Sequence, residues 1–293
     1  MPIADVNGIR LAYEERGSGE PLVLISGIGM QLVSWPEAWL SQLAARGHRV
    51  IVFDNRDVGL STKLDHAGVP SLGPMLARAL FRLPVTAAYT LFEMAADVAG
   101  LLDVLGLEHA HIAGVSLGGM VAQAMAIEHG HRIKSLVSMM SHPGGRLFAG
   151  RLRATTKLLR PPPRSRAEAI EGQLDFFRTA GSTGFFRDDA DLARRAGLAY
   201  DRSFHPQGFA RQFAAVLATG DMRPRLGRVR VPTLVLHGSV DPIFRPSSGR
   251  ETARAIRGAT FRLIDGWGHD LAEGVLPLLV EAITGHIRSS QSQ

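Results

Sequence analysis

Short apolar runs alternate with longer amphipathic segments along most of the chain, and this alternation limits the available folds more than any other feature. The runs "IRLAYEERG", "PLVLIS", "HRVIVFD", "AHIAGVS", "IKSLVSMMS", "VPTLVLHG" and "ATFRLIDG" have the length and residue types of strands. Between them lie "PEAWLSQLAARG", "LFEMAADVAGLLDVLG", "LGGMVAQAMAIEHG" and "SSGRETARAIRG", which are helical in length. Gly47 and Gly106 stop two of them. Strand and helix in turn predict an α/β protein with a mostly parallel central sheet and helices on both faces.

The alternation breaks once. From about residue 143 to 225 the strands give way to Gly-rich breaks, the interruption "RPPPRSR" and helical pieces such as "RAEAIEGQLDFFRTAG" and "HPQGFARQFAAVLATG". The expected organisation is a core of residues 1–142 and 226–293 with a helical cap of residues 143–225. Such an insertion would sit over the carboxyl ends of the strands, where open α/β sheets bind ligands.

Composition narrows the functional classes. The chain has 293 residues, 45% apolar and 20% charged, and no cysteine. Disulfides, thiolate nucleophiles and Cys-ligated metals are therefore ruled out. The net charge of +6 comes from 30 arginines and only Lys63, Lys134 and Lys157, set against 27 acids. With no helix-turn-helix, zinc-finger or RRM pattern, this charge reads as a solvated arginine-rich surface, and nucleic acid is not expected as a partner. No apolar window is long enough to span a bilayer, and "MPIADVNGIRLAYEERG" lacks a basic stretch followed by an apolar one. The expectation is a soluble, cytoplasmic protein.

One pentapeptide carries chemistry. Gly114-Val115-Ser116-Leu117-Gly118 fits G-x-S-x-G, a weak match alone in a chain with 32 glycines. Its context strengthens it, because a strand precedes it and a helix follows. A sharp turn there would hold Ser116 in a strained conformation with its hydroxyl above the sheet, and the glycines would let the two arms approach. The helix that follows would aim its positive dipole end at the turn.

In these features the chain resembles the α/β-hydrolase superfamily over nearly its whole length outside the insertion. With "FDNRDVGLST" and "SWPEAW", it looks most like bacterial serine esterases that include aclacinomycin methylesterase and lipase-like mycobacterial esterases. The resemblance implies a nucleophile, an acid and a histidine in that chain order. Ser116 is the nucleophile. Asp241, in "LHGSVDPIF" just beyond a strand, is the first choice of acid, with Asp265 as competitor; Asp221 lies in the insertion and Asp270 adjoins the base. His269, in the glycine-flanked "DGWGHD", is the base. His237, His142 and His286 read as local packing or surface residues. The H-x-H pairs His109/His111 and His129/His131 lack a third metal ligand.

The resemblance also implies an oxyanion hole of two backbone N–H groups. Leu117, next after the nucleophile, supplies one. Ile28, in the loop Ser26-Gly27-Ile28-Gly29, supplies the other, although Ser26 stands where the family usually has His. Asp54, Arg56 and Ser61 read as braces of a neighbouring loop.

The expected function is hydrolysis of a small-molecule carboxylic ester through an acyl-enzyme, with no cofactor and no metal. A thioesterase, lactonase, carbon–carbon bond hydrolase or cofactor-free perhydrolase would use the same three residues, and a non-catalytic receptor would keep only the fold. Phe176, Phe177, Phe185, Phe186, Phe204, Phe209 and Phe213 suit an apolar acyl or ring substrate, or else form the cap's own core. The basic runs "PMLARALFRLP" and "RLFAGRLRATTKLLRPPPRSR" raise peripheral contact with an anionic membrane as a further expectation.

Overall fold

The structure, a computed structural model, describes residues 1–81, 83–145 and 152–291. In chain order it contains β1 (Ile3–Val6), β2 (Ile9–Arg16), β3 (Glu20–Ile25), α1 (Glu37–Ala45), β4 (His48–Phe53), α2 (Leu72–Leu80), α3 (Leu91–Val104), β5 (Ala110–Val115), α4 (Leu117–Glu128) and β6 (Ile133–Met139). Five helices follow, α5 (Leu152–Leu158), α6 (Arg166–Ala180), α7 (Asp189–Arg202), α8 (Pro206–Thr219) and α9 (Arg223–Leu226). The chain then closes with β7 (Thr233–Gly238), α10 (Pro246–Ala255), β8 (Thr260–Ile264) and α11 (Leu276–Gln291).

The eight strands form one sheet in the order β1-β2-β4-β3-β5-β6-β7-β8. From β4 to β8 all neighbours are parallel, whereas β1, β2 and β4 pair antiparallel. The sequence reading started the sheet at β2 and missed β1. Its signal was present in Asn7-Gly8, whose φ angles of 48° and 77° make the turn that a two-residue hairpin requires.

Period-two side chains fill both sides of the sheet. Val23, Ile25 and Ile112 pack under α3 and α4, while Leu22, Leu24 and Val115 pack under α1 and α11. Burial of each such Leu or Ile stabilises the fold by about 1.5–3 kcal/mol. Local signals set the helix ends: Thr90 and Glu93 form a capping box at the start of α3, and Gly106, at φ 65°, follows its end.

Between β6 and β7 the described residues hold only helices. α7 was not anticipated, because its exposed face is rich in charge and its apolar stripe is thin; Leu192 is its one fully buried large aliphatic. No helix among the described residues is long and apolar enough to cross a membrane.

Candidate active site

The turn after β5 has the predicted geometry. Ser116 sits at φ 54° and ψ −118°, a region costly for a residue with a Cβ. Hydrogen bonds hold it there: its N–H donates to Met139 O at 2.9 Å, and its carbonyl accepts from Ser141 Oγ at 2.8 Å. The glycines are obligatory. A Cβ on Gly114 would fall 2.1 Å from Gly118 O, and one on Gly118 would fall 2.0 Å from Ile25 O. From residue 110 to 126 only Ser116 is not fully buried. Ser141, the clamp on the turn, went unread because a serine after a strand carries no sequence signal of its partner.

β7 and β8 deliver the other two side chains. Asp241 leaves the end of β7, and its Oδ1 accepts the N–H groups of Ile243 and Phe244 at 2.8 and 3.0 Å. His269 follows β8, with Nδ1 2.8 Å from Asp241 Oδ2 and Nε2 3.0 Å from Ser116 Oγ. With the carboxylate as acceptor the proton belongs on Nδ1, which leaves Nε2 to accept the serine hydroxyl. Gly238 lets the two loops meet, since a Cβ there would fall 2.0 Å from Trp267 O.

The rivals have other partners. Asp265 is exposed and accepts from Ser239 Oγ at 2.8 Å, Asp221 pairs with Arg223, and Asp270 accepts from Ser182 N and Oγ. Burial raises the Asp270 carboxyl above its usual range. His237 packs locally, as expected, donating from Nε2 to Phe244 O at 2.9 Å; that nitrogen also lies 3.5 Å from Asp241 Oδ2. Burial holds His142 down to about 4, and its ring stands edge-on to Phe244. His286 is a correction: it is half-buried, with Nε2 3.2 Å from Pro232 O, because α11 packs closely on the strand ends. His111 is buried, with Nδ1 2.8 Å from Ser135 Oγ, while His109, one residue before β5, is half-exposed beside Glu108. His129 and His131 stand with ring centroids 6.5 Å apart.

Ile28 and Leu117 both line the cavity beside Ser116. As the first residue of α4, Leu117 has no intrahelical acceptor for its N–H. The N–H of Ile28 has no partner among the described residues. Ser26, which stands in place of the usual His, closes its own loop by donating to Met30 O at 3.1 Å and accepts from Asn55 Nδ2 at 3.2 Å.

The braces proposed for Asp54 and Arg56 are present, but their partners are not each other. Arg56 makes a fork to Asp97 on α3 at 2.6 and 2.7 Å, and Asp54 binds Arg202 on α7 at 2.7 Å. Ser61 Oγ donates to Asp54 O at 2.6 Å. Asp57, a further buried acid, binds Arg211 on α8 at 2.8 Å and accepts from Tyr89 Oη at 2.8 Å.

A cavity of about 770 Å³ opens above Ser116 and His269, walled largely by the helices between β6 and β7. Phe176, Phe177, Phe204, Phe209 and Phe213 line it, as does Phe244, whose ring stands edge-on to His269. Phe185 and Phe186 do not. Phe185 packs towards the core under α11, and Phe186 is 71% exposed. At the cavity's rim Leu83 is exposed, and Leu80 and Phe81 beside it are more so. In the two basic runs, residue 82 and residues 146–151 lie outside the described residues.

The fold and this geometry define a class. The family model described as the alpha/beta hydrolase fold matches residues 20–273, and the chain belongs to that family. It is 27% identical over 317 residues to rhodomycin D methylesterase from Streptomyces peucetius, with 99% of each chain covered. A putative non-heme bromoperoxidase from Mycobacterium tuberculosis is 26% identical over 274 residues, covering 89% of this chain and 91% of that protein. Among solved structures, the meta-cleavage product hydrolase from Pseudomonas fluorescens matches with a TM-score of 0.76 at 19% identity, over 99% of this chain and 98% of that one.

Proposed function

We propose that this chain is a serine hydrolase that cleaves carboxylic esters with apolar acyl or ring portions, and that residues 143–225 cap a core of residues 1–142 and 226–293. The observation that carries the reading is the unbroken relay from Ser116 Oγ through His269 to Asp241, at 3.0 and 2.8 Å. Nε2 of His269 takes the hydroxyl proton as Oγ attacks the acyl carbon, and Asp241 stabilises the imidazolium. The N–H groups of Ile28 and Leu117 hold the oxyanion. When the tetrahedral intermediate collapses, the C–O bond to the alcohol breaks and His269 returns the proton to the departing oxygen. Water, activated by the same nitrogen, then releases the acid and restores Ser116.

The methylesterase activity in the name of the Streptomyces relative is support for an ester as substrate. The aromatic cavity walls favour an apolar acyl or ring portion. The test is a series of p-nitrophenyl esters of increasing acyl length, run beside fluorophosphonate labelling. The wild type turns esters over and labels. Ser116→Ala does neither, with turnover reduced by at least ~10³-fold. Retained turnover in Ser116→Ala overturns the reading.

A further inference from the structure

The loop carrying Ile28 is a turn from Gly27 to Met30, closed by Met30 N–H donating to Gly27 O at 3.2 Å. Gly29, at φ 67°, occupies its third position, and Ile28 is not among the residues with positive φ. That combination makes it a type II turn. Types I and II differ by rotation of the peptide joining the two central residues, here Ile28 to Gly29. Gly29 supplies the positive φ that a type II turn requires, and with glycine on both sides of Ile28 the turn as a whole is held little by its own sequence.

Two side chains of α8 meet this turn: the ring of Phe209 lies against Gly29, and Gln212 bonds to its backbone. Gln212, on α8 and fully buried, accepts the Gly29 N–H at Oε1 at 2.8 Å and donates from Nε2 to Arg56 O at 2.9 Å. Its helix is seated firmly on the loop after β4. The neighbouring Arg211 is paired with buried Asp57, and a Cβ on Gly208 would fall 2.0 Å from Asp57 O. Both polar ends of the amide are therefore satisfied, and the amide is held at two points of the core.

We propose that Gln212 is a positioning residue for the oxyanion hole: it ties the Gly27–Met30 turn to α8, so that the turn holds the Ile28 N–H towards the carbonyl attacked by Ser116. The proposal rests on the serine hydrolase reading and on Ile28 as a donor. It makes the helical insertion part of the catalytic apparatus as well as a wall for the substrate. Without the Gln212 acceptor, the Gly29 N–H loses the hydrogen bond that ties the turn to α8, and the turn, exposed at Gly29, is free to shift towards the cavity. A shift of the turn carries Ile28 with it, and the oxyanion loses an aligned donor.

The test compares Gln212→Met, which keeps length and apolar volume but has no acceptor for the N–H, with Gln212→Glu, which keeps an acceptor. With p-nitrophenyl butyrate, Gln212→Met should lower kcat about 10- to 100-fold with KM within about threefold, because the lost interaction acts only in the transition state. Affinity for an alkyl trifluoromethyl ketone, whose adduct on Ser116 bears an oxyanion, should fall by the same factor as kcat/KM. Gln212→Glu should lose less of both. A residue that served only to hold the fold would shift Tm and leave kcat and inhibitor affinity of the folded protein unchanged. Where Gln212→Met does not fold, Gln212→Asn, one methylene short of the loop, is read in the same way. A folded variant with kcat and inhibitor affinity within twofold of wild type overturns the proposal. If Ser116→Ala retains turnover, the hydrolase reading falls and takes this role with it; if Ser116→Ala is dead while Gln212→Met is fully active, only the role of Gln212 falls.

Discussion

Asp241 and Asp57 are both buried carboxylates on loops at the carboxyl edge of the sheet; Asp241 accepts two backbone N–H groups and faces His269, whereas Asp57 accepts one backbone N–H and the Tyr89 hydroxyl and faces Arg211. The basic partner sets them apart. Asp57 faces the guanidinium of Arg211, which keeps its proton at any working pH, so the pair is permanent and ties α8 to the core. Asp241 faces the imidazole of His269, whose other nitrogen lies 3.0 Å from Ser116 Oγ, so in the proposed mechanism the same arrangement lets the ring take the serine proton. The anchoring region surrounds the reacting one. The His269 loop rests on the insertion too, through His269 N–H donating to Ala180 O at 2.7 Å.

The comparison can be broken at several points, beginning with the largest effect. Asp241→Asn should cost about 10³- to 10⁴-fold in kcat by favouring the wrong tautomer of His269, with only a small change in Tm. Arg211→Met should do the reverse. It leaves Asp57 buried beside Tyr89 without its ion-pair partner, and urea unfolding should show a loss of about 3–5 kcal/mol. If Asp241→Asn unfolds the chain, or Arg211→Met leaves its stability intact, the division between reacting and anchoring acids is wrong.

Next in size is the behaviour of two buried imidazoles outside the Ser116–His269–Asp241 relay. Burial holds His111 and His142 down to about 4, whereas in the unfolded chain each titrates near ~6.5. Their stabilising contribution is complete above pH ~6.5 and is lost as pH falls towards about 4, because the unfolded state takes up the protons first. Thermal melts between pH 7 and 4 should therefore show a declining Tm, and His142→Gln should flatten that decline. An unchanged slope in the variant would show that His142 is not held neutral by the fold. Smallest is Phe209→Ala, which trims the cavity wall. KM for long acyl esters should rise about 3- to 10-fold and that for acetate much less, as measured across the p-nitrophenyl series.

Much of the site could be read in the chain because its parts are local. The strand-turn-helix around Ser116 and the glycine-flanked His269 each sit in one short segment whose residue types dictate the backbone. Asp241 was legible for a related reason: a strand ends just before it and Pro242 follows. The anchors were not legible. Asp54 pairs with a residue 148 positions away, and Gly29 with one 183 positions away, and neither Arg202 nor Gln212 stands out among the polar residues of its helix. The cavity lining was half legible, since the insertion's phenylalanines were noted but nothing in their spacing sent Phe186 to solvent and Phe209 to the cavity.

The sequence by itself determined the alternating sheet and helices and the strained serine turn, because each follows from short-range sterics and periodic burial, while the order of serine, acid and histidine came from the family resemblance. Tertiary structure decided which acid meets the histidine, which charges only anchor, and which side chain holds the oxyanion loop. Those outcomes depend on loops and helices far apart in the chain arriving within hydrogen-bond distance, and directional bonds of that kind leave no local trace in the residues that make them.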